Sequence, residues 1–132
     1  MIEYTIERPG GLVRVRASGC ITSADLVRHF SRVHDDPSYD PSFNILVQID
    51  EDAGGPILAE LPDVGSQMEA VARLQHRTKW AVVMAPGFKR TVIEFLLRGA
   101  KLAPVEMRFF DDNQLALAWL DSGRAARVLE NA

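Results

Sequence analysis

A chain of 132 residues with 47% hydrophobic and 25% charged residues is one domain's worth of sequence. It can bury a core without metal or disulfide staples, and it is neither disordered nor fibrous in composition. Its formal net charge of −3 supplies no basic face for neutralising phosphates, which excludes a general nucleic-acid binder.

The first residues, MIEYTIERPG, alternate and carry acids, unlike a signal peptide. The longest apolar runs, such as residues 80–86, are too short to cross a bilayer, so no integral membrane association is expected. Cys20 stands alone and cannot close an internal disulfide, which fits a reducing compartment. The expected location is the cytoplasm.

Ile2, Tyr4 and Ile6 alternate with Glu3, Thr5 and Glu7, the period-two pattern of a half-buried strand. Pro9, Gly10 and Gly11 supply a turn, and Leu12, Val13, Val15 and Ala17 form a second alternating run, so the pair predicts an antiparallel hairpin. Thr22 or Ser23 caps a helix with Leu26, Val27, Phe30 and Val33 on one face, stopping before Pro37. Residues 43–49 (FNILVQI) read as a strand buried on both faces.

Residues 50–62 are the least regular part of the chain. A second helix is expected over 63–77, burying Val64, Met68, Val71, Ala72 and Leu74. Residues 79–85 form a strand, and Pro86-Gly87 leads into a helix burying Val92, Ile93, Phe95, Leu96 and Leu97. A last strand spans 105–109. Asp111 or Asp112 caps a final helix through Leu120, with Gly123 as its C-terminal stop. Alternation of short strands with amphipathic helices predicts an α/β fold: a mixed, mostly parallel five-stranded sheet, an N-terminal antiparallel hairpin and about four covering helices. Residues 1–122 make one domain, and 123–132 a tail or short helix.

The stretch GLVRVRASGCITSADLVRHF, in which a strand ends in a small residue and Gly before a T-x-x-D helix start, resembles the opening of SpoIIAA-like and STAS domains. The closing MRFFDDNQLALAWL is similar to the last strand and helix of SpoIIAA-like proteins. The resemblance spans most of the chain and rests on packing residues. It implies a small sheet-and-helix domain, a fold also compared with CRAL-TRIO lipid-binding domains, and a regulatory or binding role. Anti-sigma-factor antagonists of this kind carry a phosphorylatable Ser in an Asp-Ser-x-Gly context after the central strand. Here that region is Asp50-Glu51-Asp52-Ala53-Gly54-Gly55, and the nearest hydroxyl is Ser66, so the phosphoswitch motif is missing.

Asp50 and Asp52 follow a parallel strand, where open sheets place ligand sites, and are the weak candidates for Mg²⁺; the plainer reading is a solvated acidic loop. Gly87, Phe88, Lys89 and Arg90 open a helix whose free N–H groups and dipole would receive an anion, the alternative being a solvated first turn. His29 and His34 are five apart, unlike the i, i+4 pair of a helical metal site. Cys20 has no His or Asn assigned beside it as a base. Ile57, Leu58, Leu61 and Phe88 are apolar residues in loops or helix starts; such residues pack the core, form a dimer patch or line a ligand cavity.

The sequence therefore points to a non-catalytic binding or regulatory module with no cofactor, partnered by itself as a homodimer, by a regulatory protein, or by a small apolar or anionic ligand. A carrier of a lipid or hydrophobic metabolite is the alternative, with an apolar cavity near Leu58, Leu61, Phe88 and Phe95. A small enzyme using Asp50, Asp52, Lys89 and Arg90 is the third reading.

Overall fold

The computed structural model describes residues 1–130, with side chains described through Ser122. Five strands, β1 (Ile2–Glu7), β2 (Leu12–Ala17), β3 (Asn44–Ile49), β4 (Lys79–Val83) and β5 (Glu106–Phe110), form one sheet in the order β1-β2-β3-β4-β5. The β1–β2 pair is antiparallel, joined at a turn where Gly11 takes φ +61°, and every later pair is parallel. The helices are α1 (Ser23–Asp35), α2 (Leu61–Arg73), α3 (Phe88–Leu97) and α4 (Asn113–Glu130), with a 3-10 turn over Pro56–Glu60 before α2.

Capping chemistry fixes the helix starts. Thr22 accepts from the Asp25 N–H at 3.1 Å while the Asp25 carboxylate accepts from the Thr22 N–H at 2.9 Å, a reciprocal capping box. Asp112 accepts from the Leu115 N–H at 2.9 Å and so opens α4. The helix α4 then runs through Gly123, where a stop was expected, to Glu130. One interior glycine costs only about 1 kcal/mol, and the Arg, Ala and Leu residues around it are good helix formers. The tail expected from residue 123 is thus helical backbone as far as Glu130, and residues 131–132 lie outside the described part.

Because each parallel strand is added beside its predecessor in the same direction, uniformly handed crossovers deliver α1, α2 and α3 to one face. That face carries Val13 and Val15 of β2, Ile45 and Val47 of β3, and Trp80 and Val82 of β4, brought level by the pairings Val13↔Ile45↔Trp80 and Val15↔Val47↔Val82. Val33 of α1 packs on Val13 and Val15, Ala72 of α2 on Trp80, and Ile93 and Leu97 of α3 on Met84. The opposite face is covered by α4 alone: Ala116 and Leu120 pack on Leu12, Leu46, Ala81 and Val83.

Three burial expectations need correction. In β3 only Leu46 is fully buried; Ile45, Val47 and Ile49, which face the three-helix layer, keep accessible surface. In α3, Phe95 and Leu96 are exposed while Ile93 and Leu97 are buried. A helix of 3.6 residues per turn turns one stripe inward, and a nearly unbroken apolar run cannot all follow it. Leu74, just beyond α2, is exposed for the same reason.

Candidate functional site

The surface left open along β3 belongs to a partly open cavity of about 420 Å³ between the sheet and the α1–α3 layer. The sheet supplies its floor through Val15, Ile45, Val47 and Val82. Phe30 and Val33 of α1, Val64 and Met68 of α2, and Ile93 of α3 form its roof. The Ala53–Leu58 segment closes one end, held to the sheet by an isolated pairing of Cys20 with Gly54 and by the Ile21 N–H donating to the Gly54 carbonyl at 2.7 Å. Leu58 and Leu74, both exposed, mark where the lining reaches the surface.

The lining is dominated by aliphatic side chains, and its few polar groups are mostly satisfied. Gln75 donates to the Tyr39 hydroxyl and accepts from the Thr78 hydroxyl at 3.2 Å. Lys89, at the rim, donates from Nζ to the carbonyls of Glu51 at 3.0 Å and Ala53 at 2.6 Å. Two groups are not satisfied: His29 Nδ1 and Trp80 Nε1 are buried without a hydrogen-bond partner, and both residues line the cavity. His29 is 9% exposed, and burial pushes its pKa down to about 4, so its imidazole is neutral near pH 7.

The residues singled out in the sequence do not share one site. Leu58, Leu61 and Lys89 line the cavity. Phe88 and Phe95 do not: they are 85% and 71% exposed on the outer side of α3. Lys89 and Arg90 at the start of α3 are engaged within the chain, Arg90 by the Glu94 carboxylate at 2.8 Å, the Met84 carbonyl at 3.1 Å and the Asp111 carboxylate. These bonds place their cationic groups on protein acceptors rather than around the N–H groups that follow Gly87. Asp50 receives Arg16, with Nη2 at 2.8 Å, and Asp52 accepts from the Gly19 N–H at 3.2 Å. Among the described residues no group of three His, Cys, Asp or Glu side chains is placed to hold a metal ion. His34 lies on the cavity rim and His76 elsewhere, so the three histidines do not converge.

Sequence reasoning missed His29 as a cavity residue, although a signal exists. It stands three residues after Leu26 and four before Val33, on the apolar stripe of α1. A histidine in that stripe is either partnered within the core or faces a space. Nothing in the sequence marks Trp80 Nε1 as unpaired, because that depends on what lies across the sheet.

A SpoIIAA-like family model matches residues 12–121, most of the chain, and the protein belongs to the SpoIIAA-like family. A search of curated proteins gave no significant match, and a search of solved structures gave none. Among the described residues, no helix is long and apolar enough to cross a membrane.

Proposed function

From membership of the SpoIIAA-like family and the geometry of the sheet face, we propose that this protein is a non-catalytic module that binds a hydrophobic small molecule between its sheet and the α1–α3 layer. The observation that carries the reading is the cavity of about 420 Å³. Small-molecule sites typically span about 300–1,000 Å³ and are mostly apolar with a few placed polar groups. Ordered water in such a space needs two to four polar partners, and apolar walls offer few, so an apolar occupant is favoured over water.

Native mass spectrometry of freshly purified protein, followed by denaturing extraction, tests this. A bound mass that releases a lipid or hydrophobic metabolite is the expected result. Protein that carries no adduct, and that takes up no apolar dye when offered one, removes the carrier reading.

A second reading, a regulatory module acting through protein contacts, is supported by Phe88 and Phe95. They lie seven residues apart on one side of α3, a spacing that forms an exposed aromatic patch suited to self-association. It would act without the serine phosphoswitch. Ser66, the next hydroxyl along the chain, sits inside α2, where its hydroxyl donates to the Pro62 carbonyl at 3.3 Å. Sedimentation over a concentration series separates a homodimer from a monomer.

A further inference from the structure

We propose that the occupant of the cavity is an amphiphile with an uncharged, oxygen-bearing head, such as a long-chain alcohol, whose oxygen hydrogen-bonds the imidazole of His29. This rests on the cavity reading above and adds the chemical class of the ligand.

Buried polar groups in folded proteins nearly always have partners, and each exception asks for a reason. Among the described residues four side-chain atoms are such exceptions: Gln67 Oε1 and Asn113 Oδ1 lie outside the cavity, and His29 Nδ1 and Trp80 Nε1 belong to residues lining it. Trp80 is 5% exposed, so neither group is a surface atom awaiting bulk water. The imidazole is held in place by rings on two sides. Tyr4 packs edge-on at 5.8 Å between ring centroids, and Phe30 lies at 5.6 Å. The Tyr4 hydroxyl donates to Asp36 at 2.9 Å and is not a partner of Nδ1. A neutral imidazole presents one donor and one acceptor, and an indole presents a donor alone. A ligand oxygen beside the ring would give Nδ1 the partner it lacks, while Trp80, three strands away in the sheet order from the Tyr4 that packs on His29, lines another part of the same space.

The head must be uncharged. A carboxylate taken into this space would lose its hydration, and pairing it would require a proton on the buried His29 ring as well, so two charges would have to be desolvated. Lys89 is the cation on the lining, and its ammonium already rests on two backbone carbonyls at the rim. An alcohol, by contrast, supplies the partner that His29 Nδ1 lacks while its hydrocarbon lies along Val15, Val47 and Val82.

The test uses the full chain carrying Trp119→Phe, which leaves Trp80 as the single tryptophan emitter. Trp119 lies on the opposite face, beside Phe110 and under Lys79, and is not part of the cavity. A neutral naphthylamine dye is bound first, then displaced with dodecanol or with dodecanoate. Dodecanol is expected to displace the dye, shift Trp80 emission and bind more tightly than dodecanoate. Adding His29→Leu should weaken dodecanol by about five- to tenfold, the loss of one hydrogen bond, while the dye still binds. The same variant should melt at a higher temperature without ligand, because an unpaired polar group has left the core; a purely structural histidine predicts a lower one. His29→Gln, which can still hydrogen-bond, should keep much of the dodecanol affinity. Should His29→Leu fail to fold, His29→Met carries the same measurements, since its flexible chain fills irregular space. Dodecanol affinity unchanged in the apolar variant, or dodecanoate binding more tightly than dodecanol, overturns the inference and leaves the cavity standing. A dye that does not bind the parent protein removes the cavity reading itself.

Discussion

His29 also makes the protein acid-sensitive in a specific window. Burial lowers its pKa to about 4 from the ordinary 6.5, so between these values the unfolded chain binds a proton that the folded chain does not. Stability is therefore full above about pH 6.5 and is lost as pH falls toward 4. The difference between pH 7 and pH 5 is about 2 kcal/mol by linkage. Denaturant unfolding of the parent and His29→Leu proteins at the two pH values should show that extra loss in the parent alone. Carboxylates held below their usual range by local hydrogen bonds, Asp25 by Thr22 and Asp36 by Ser38 and Tyr4, act at lower pH and are common to both proteins. Gly55 is a second sensitive position. Its φ of +94° is foreign to other residues, and a Cβ there would stand 2.8 Å from Cys20 Sγ. Gly55→Ala should lower unfolding free energy by about 1–3 kcal/mol, measured by denaturant titration.

At the scale of elements, α3 presents a divided surface. Ile93 and Leu97 are buried against the sheet layer, while Phe88 and Phe95 stand outside it. Replacing both phenylalanines with Gln should leave the melting temperature within about 2 °C, since little buried area is lost. If the patch mediates self-association, sedimentation should show the double variant as monomer at concentrations where the parent is dimeric; an unchanged profile removes the patch from the interface. Strand alternation in β1 and β2 was legible in the sequence, and so were the two helix starts to within one residue (Thr22 or Ser23, Asp111 or Asp112), because each is a local pattern with a local cause. The inward stripe of α3 was not. Its run of Val92, Ile93, Phe95, Leu96 and Leu97 offers more apolar positions than one face can hold, so orientation is decided by contact with α2 and the sheet.

At the scale of the molecule, the sequential strand order places three helices on one face and a single helix on the other. The alternation of strands and helices makes the α/β class legible, and the packing residues at both ends make the family legible. The cavity is not, because the same FNILVQI segment describes a strand under a tight roof and one under a hollow roof. Volume, not pattern, separates the two. Val47→Phe should therefore fill space rather than clash: the expected outcome is a raised melting temperature together with loss of dye binding. A lowered melting temperature would show a face already packed to capacity.

The joint between Cys20 and Gly54 has a practical consequence. The sequence contains one thiol, it is exposed, and it sits against the segment that closes one end of the hollow. A maleimide fluorophore can be attached there without removing or introducing any other cysteine. Its emission would follow filling and emptying in real time, giving the exchange rate of whatever the protein carries.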